Sequence, residues 1–468
     1  MSRQRTMMVL LFLSFVLLLP YTWGGLVWDD HILLVEGLWK NDSLSSVWGQ
    51  SVQGGEIASQ YYRPIPMTIF ALVQNITALH LISLMVHLGS TWLLSEWLCS
   101  RFEQDSIVYM GALLFALHPI QTEVLGWASC LPDILAIHFG LWSVVWAVKK
   151  QSSVLIAGGL LCGLLSKEIA LLPLLAFSLD GLWSNYREQG RWILPKWTVP
   201  VMVVLLLVGV IRWGFQVETV LPSSFEMVPR TTVLTIGMGW FSWLVPFPHY
   251  PVRDVWVLPM WSVYVGWAWC LVCLTTIRNR MGWLIAMGGL VLSLPPVWIG
   301  YLAAERYVYV ASIGFVWLTC TVLSTNRIAP NILRSVGVLW VLSTGIIHWN
   351  RAEIWSSDER LFAEGVQTLP TSGYTWHLQG LSLVQRGEFE EAFDSFKTAS
   401  AQERPHYQSR EFAIRCALEA GRTTEAFLFA EQGPTEGLSR GYLEAWLQAA
   451  QAVGNRERTI ELKQTLGL

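Results

Sequence analysis

The chain is 468 residues long, 53% of them hydrophobic and only 14% charged, with a formal net charge of -3. Charged residues make up about a quarter of an ordinary soluble domain, so the composition excludes that class and points to a polytopic membrane protein, while the charge gives no hint of nucleic acid. The 27 tryptophans suit many membrane interfaces, because an indole can bury its ring and keep its N–H in contact with water.

The first apolar stretch, Met7 to Trp23, follows Arg3 and Arg5 and has the layout of a signal peptide. Thr22-Trp23-Gly24-Gly25 is a poor small-residue cleavage site, however, so the stretch reads as a retained first span with a cytoplasmic N-terminus. A span needs about 20 mostly apolar residues. Further candidates lie near 77–98, 106–120, 131–148, 152–166, 169–184, 197–214, 257–276, 282–300, 307–324 and 333–349. A twelfth stretch, 231–247, runs into Pro246-Phe247-Pro248. If it is re-entrant or interfacial, Arg101, Lys149, Lys150, Arg187, Arg191, Lys196, Arg278, Arg280, Arg327 and Arg334 all face inward with the N-terminal arginines. That count predicts 11 spans and an outward C-terminus.

The first outer loop carries two short amphipathic stretches, Ile32 to Trp39 and Pro64 to Leu72, suited to helices on the membrane surface. Asn41-Asp42-Ser43 and Asn75-Ile76-Thr77 match the glycosylation sequon, a triplet common by chance. The odd number of cysteines, seven, most of them in or beside apolar spans, argues against a disulfide framework. Cys270 and Cys273 have metal-like spacing but no second pair, and read as structural.

After Trp355 the composition turns polar and helical. Gly387-Glu388-Phe389-Glu390-Glu391-Ala392 recurs as Gly421-Arg422-Thr423-Thr424-Glu425-Ala426, a period of 34 residues, with a degraded copy from Gly454. This is the tetratricopeptide period. Trp376, Gly380, Ala392, Phe396, Ala399 and Pro405 fall at or within one position of the expected sites. The predicted fold is therefore all-α: a polytopic membrane domain over 1–349, then a repeat solenoid over 350–468 whose concave surface suits a peptide or partner.

Charges at membrane boundaries are weak signals singly, but here they gather on one face. Trp28-Asp29-Asp30 follows the first span, and the same side receives Arg63, His118, Glu123, Asp133, Lys167, Glu168, Glu305 and Arg306. Carboxylates beside fixed cations suit chemistry that deprotonates a hydroxyl and expels an anion. With a sugar on a lipid phosphate, a carboxylate would accept the proton of the attacking hydroxyl, and Arg and Lys would stabilise the departing phosphate. His118-Pro119 has a plainer reading as a helix stop, and Lys167-Glu168 and Glu305-Arg306 as boundary ion pairs. His249 and Asp254 receive no role.

Trp28-Asp29-Asp30, Tyr62-Arg63-Pro64, His118-Pro119-Ile120-Gln121-Thr122-Glu123, Lys167-Glu168, Glu305-Arg306-Tyr307-Val308-Tyr309 and the trailing repeats resemble, in order, the transmembrane and tetratricopeptide repeat-containing O-mannosyltransferases and their bacterial relatives. The resemblance implies a clan C glycosyltransferase fold and a polyprenyl-phosphate sugar donor, with mannose the expected sugar. It implies Asp29 as the base with Asp30 its neighbour, Arg63, Lys167 and Arg306 near the donor phosphate, and His118, Glu123, Asp133, Glu168 and Glu305 shaping the pocket. Relatives carry Gly-Arg before the Asp of the segment Cys130-Leu131-Pro132-Asp133, so a cation is missing at Leu131. The resulting expectation is an inverting, multi-pass membrane glycosyltransferase acting on a protein hydroxyl at the outer or lumenal face. Its location would be a bacterial inner membrane, or the endoplasmic reticulum in a eukaryote. It calls for no cofactor beyond its lipid-phosphate sugar substrate and leaves metal dependence open. The alternatives are transfer to a lipid or surface glycan, and a membrane-anchored repeat scaffold with a relic core. A transporter is disfavoured because the charges gather at an interface instead of the midplane.

Overall fold

The computed structural model describes residues 2–35, 44–49, 52–54, 57–214, 227–245, 259–274, 280–292, 304–403, 406, 408–433 and 438–468. The sequon at Asn41, the run Pro246-Phe247-Pro248, His249, Asp254 and Pro405 lie outside these residues, as does part of the stretch Ile32 to Trp39. Two compact units form, one within residues 1–357 and one over Asp358–Leu468.

The first unit opens with α1 (Arg3–Leu18), capped where Ser2 Oγ accepts the Arg5 N–H and closed at Pro20 by a 3-10 turn over Leu19–Trp23. Proline cannot supply the amide that a continuing helix needs. A π turn covers His31–Val35, followed by α2 (Leu44–Gly49) and a hairpin of β1 (Val52–Gly54) and β2 (Ile57–Tyr61), in which Val52 pairs with Tyr61 and Gly54 with Ile57. This short hairpin stands in an otherwise helical structure, and the all-α class expected from the sequence holds. The amphipathic stretch at Pro64 does form a helix, α3 (Pro64–Leu72), which buries Met67 and Phe70 against Leu79, Leu131 and Leu135.

The larger helices follow as α4 (Ile76–Cys99), α5 (Asp105–Leu117), α6 (Thr122–Gly126), α7 (Leu131–Val148), α8 (Ser153–Leu164), α9 (Leu171–Gln189) and α10 (Thr198–Gly214). The unit is completed by α11 (Met227–Leu244), α12 (Met260–Leu274), α13 (Arg280–Leu292), α14 (Tyr309–Thr325) and α15 (Pro330–Ile354). Among the described residues six helical segments are long and apolar enough to cross a membrane: Arg3–Trp23, Ile76–Cys99, Asp105–Gly126, Ala128–Val148, Glu305–Thr325 and Pro330–Ile354. Ser153–Leu164, Thr198–Gly214, Thr232–Leu244, Met260–Cys273 and Arg280–Val291 are apolar but shorter. Asn75 of the second sequon caps α4, its Oδ1 accepting the Ala78 N–H at 2.9 Å.

The centre of the bundle is α14, buried without interruption from Tyr309 through Leu318. It lies close against α13 because Gly314 leaves no room for a side chain: a Cβ there would stand 2.3 Å from Ala286 N. Small residues are the usual means of close helix approach in membranes. At one end of the bundle Arg3 pairs with Asp105, Lys149 with Glu96 at 2.6 Å, and the Arg280 guanidinium lies 4.4 Å from the Trp183 ring centre. The candidate site residues collect at the opposite end.

The second unit is a succession of helices, α16 (Asp358–Thr368), α17 (Gly373–Gln385), α18 (Phe389–Ala401), α19 (Ser409–Glu419), α20 (Thr423–Glu431), α21 (Arg440–Ala452) and α22 (Arg456–Leu466), each packed on the next. Gly387, Gly421 and Gly454 stand at equivalent turns with φ of 76°, 74° and 73°, the left-handed conformation that glycine adopts without steric cost. Gly380 faces the Phe396 ring, where a Cβ would come within 2.7 Å, and Ala392, Phe393, Phe396, Ala413 and Ala430 are buried between the helices.

Candidate active site

Beyond the 3-10 turn the chain runs extended at Gly24, and the Gly25 N–H donates to the Ser356 carbonyl at 2.9 Å. Trp28 then adopts φ of +54°, a left-handed conformation costing about 1–3 kcal/mol for a non-glycine residue. Its ring stacks on Trp127 with centres 5.1 Å apart and planes 15° apart, which offsets part of that cost. The turn sends the next two acids into different surroundings. Asp30 is fully buried: Oδ2 accepts the Val27 N–H at 3.2 Å, and Oδ1 accepts the Ser129 N–H at 2.8 Å and the Ser129 hydroxyl at 2.5 Å. Asp29 is exposed.

Burial pushes the Asp30 carboxyl up to about 7, against the opposing pull of its Ser129 and Val27 donors. A carboxyl raised from 3.8 in the unfolded chain to about 7 in the fold binds more protons when folded. Its stabilising contribution is therefore complete below pH 3.8 and is lost as pH rises through 7. Melting temperatures of the purified protein across this window should fall more steeply for the wild type than for Asp30→Asn, which has no proton to lose. Equal slopes would remove Asp30 as the titrating group.

The segment from Thr122 to Asp133 is the hub of this end of the bundle. Glu123 in α6 forms a buried pair with the Arg306 guanidinium and also accepts the Arg306 backbone N–H at 3.1 Å. Arg306 lies 4.7 Å from the ring centre of Trp127, the same indole that carries Trp28. Glu305 is buried, accepts the Thr122 hydroxyl at 3.1 Å and lies 4.0 Å from the Arg351 guanidinium. Two carboxylates and two guanidiniums thus meet at this end of the bundle.

Asp133, in the first turn of α7, takes Lys167 Nζ on both oxygens at 2.7 and 2.8 Å, so that lysine is neutralised. Glu168 lies 3.8 Å from Arg63 and 3.0 Å from Arg212. Burial pushes the Glu168 carboxyl up, but Arg63 and Arg212 together outweigh it and hold the group down at about 2. At the position lacking the expected arginine, Leu131 is fully buried in the apolar cluster of Met67, Phe70 and Leu79.

His118 Nδ1 accepts the Ile120 N–H at 3.2 Å, which leaves Nε2 as the donor to the Trp243 carbonyl at 3.2 Å, and the ring stacks on Trp243 with centres 4.2 Å apart. Through these contacts the residue turns the chain after α5 and meets α11. Of the other predicted residues, Asp30 meets the Ser129 turn, Glu123 meets Arg306, Asp133 meets Lys167, Arg63 meets Glu168 and Glu305 meets Arg351, while Asp29 is exposed. Sequence reasoning passed over Ser129, Trp127, Arg212 and Arg351. For Arg212 and Arg351 there was a signal, a lone arginine at the end of an apolar run; Ser129 and Trp127 carried none.

Fold and site together define a helical membrane protein with several buried ion pairs at one end of its bundle and an exposed carboxylate on the adjoining loop. The chain is 22% identical over 442 residues to the protein O-mannosyl-transferase F38B6.6 of Caenorhabditis elegans, covering 84% of this chain and 62% of that protein. It is 23% identical over 452 residues to the protein O-mannosyl-transferase TMTC1 of Homo sapiens, covering 78% of this chain and 50% of that protein. It thus spans about half to three-fifths of the length of these relatives. No family model and no solved structure matches it.

Proposed function

We propose that the protein is a membrane glycosyltransferase that moves mannose from a polyprenyl phosphate to a hydroxyl of a protein acceptor. The observation that carries this reading is the hub Thr122–Asp133, which ties motifs scattered over the chain into one site. Similarity to two proteins named as O-mannosyl-transferases supports the reaction class. In the proposed step the acceptor oxygen bonds to the anomeric carbon of the sugar as the bond from that carbon to the phosphate oxygen breaks. The electron pair leaves with the lipid phosphate, and the hydroxyl proton passes to Asp29. Attack opposite the leaving group inverts the anomeric centre.

An 11-span arrangement accompanies this reading, with the site and the second unit on the outer or lumenal side. The placement of Arg280 beside Trp183, in the C-terminal half of α9, supports counting Arg280 as inward. The helix pairs of the second unit, turning at Gly387, Gly421 and Gly454, support tetratricopeptide repeats that present the acceptor. A membrane-impermeant thiol probe should label single cysteines placed in α18 from the side opposite the N-terminus. Labelling from the N-terminal side would mean 12 spans and repeats remote from Asp29.

The relic-scaffold reading draws on one observation, the apolar burial of Leu131 where a cation was expected. Proteoliposomes given labelled polyprenyl-phosphate mannose and candidate acceptor peptides decide between the two. Transfer that depends on the protein supports the enzyme. Bound donor with no transfer to any hydroxyl acceptor would overturn it.

A further inference from the structure

At the end of the bundle opposite the candidate site, Gly190 closes α9 in the left-handed conformation, with φ of 66°, and its N–H donates to the Tyr186 carbonyl. The chain turns back there and brings Trp192 onto the helix. Its ring stacks on Tyr186 with centres 4.6 Å and planes 14° apart, and meets Trp183 edge-on at 6.4 Å. Arg280, the first residue of α13, sets its guanidinium 4.4 Å from the Trp183 ring centre. Trp183, Trp192 and Arg280 border a cavity of about 230 Å³ whose other walls are Leu179, Leu182 and Leu284, with Asp180 beside them. At the same end of the bundle Arg3 is paired with Asp105 and Lys149 with Glu96. Arg280 makes no ion pair or hydrogen bond among the described residues, and neither do Arg187 and Arg191, on either side of the turn at Gly190.

We propose that this cavity binds an anionic phospholipid of the leaflet on the N-terminal side, with the lipid phosphate on Arg280 and an acyl chain against Leu179, Leu182 and Leu284. The depth is right for a headgroup: Trp183, Tyr186 and Trp192 are 40%, 43% and 59% exposed, and such rings gather where the membrane meets water. The Trp183 ring positions the guanidinium without using its N–H donors, which leaves the planar fork for phosphate oxygens. The charge is right for an anion, because Arg187, Arg191 and Arg280 stand against Asp180 and Glu188, and basic groups beside a membrane surface attract anionic lipids. Asp180 lines the same cavity, and a hydroxylated headgroup such as glycerol gives it a donor. A free phosphate ion would satisfy Arg280 but leave the three leucines without an occupant. The site lies away from Asp29 and does not depend on the transferase reading.

Native mass spectrometry of the full-length protein in detergent, titrated with phosphatidylglycerol, phosphatidylethanolamine, phosphatidylcholine or glycerol phosphate, measures the affinity for each. Phosphatidylglycerol should bind about tenfold more tightly than phosphatidylcholine, the scale of a charge-assisted hydrogen bond, and Arg280→Gln should abolish that preference. Arg280→Lys should recover part of it, since a lysine keeps the charge and loses the fork. Trp192→Ala should weaken all three lipids several-fold by removing a wall of the cavity. A melting curve for each variant separates misfolding from lost affinity. A wild type with no preference for phosphatidylglycerol, or a folded Arg280→Gln that keeps it, would overturn the inference. Phosphatidylethanolamine bound as tightly as phosphatidylglycerol would place its ammonium on Asp180 and overturn the anionic assignment. Glycerol phosphate bound as tightly as the lipid would overturn the lipid source.

Discussion

Asp29→Asn should lower mannosyl transfer by about 10²–10⁴-fold, the range that a positioned general base contributes, with little change in donor binding or melting temperature. The reason lies in the separation of the two acids. Asp29 is exposed, so an amide of the same shape disturbs little of the fold. Asp30→Asn is expected to do the reverse. Its carboxylate accepts from Val27 on one oxygen and from Ser129 on the other, and an amide must turn its NH2 towards one set of these donors. An unsatisfied buried donor costs about 1–3 kcal/mol, so Asp30→Asn should be folded less stably with transfer lost in proportion. The comparison is made with single-turnover transfer and thermal melts of both variants. Full transfer by Asp29→Asn would remove it as the base.

The buried pair of Glu123 and Arg306 carries the second large effect. Removing one member strands the other charge in a low-dielectric interior, which costs about 3–5 kcal/mol. Glu123→Gln and Arg306→Gln are each expected to melt well below the wild type, and the double variant should recover much of the loss, because no charge is then stranded. Transfer should not return with stability in the double variant if Arg306 also faces the donor. A double variant that regains both would make the pair purely structural, a tie between α6 and the start of α14. The Trp127 ring beneath Arg306 belongs to the same tie, and through Trp28 it reaches the Asp29 loop.

The membrane character and the helices were legible in the residues, because both depend on local composition and spacing. Apolar runs of the right length must be helical in lipid, where every backbone polar group needs an internal partner. Gly387, Gly421 and Gly454 each close a turn between helices with a left-handed backbone. The acids and cations of the site were legible as well, since charged residues at the ends of apolar runs stand out against their surroundings. Their pairing was not. Which carboxylate neutralises which cation depends on residues as far apart as Glu123 and Arg306, or Glu168 and Arg212, and no local pattern encodes that distance. Asp29 and Asp30 are neighbours of the same chemical type, and the sequence alone determined only that two acids follow the first span. The tertiary structure decided their difference, because a left-handed turn at Trp28 and a serine 99 residues away bury one carboxylate and leave the other exposed to solvent.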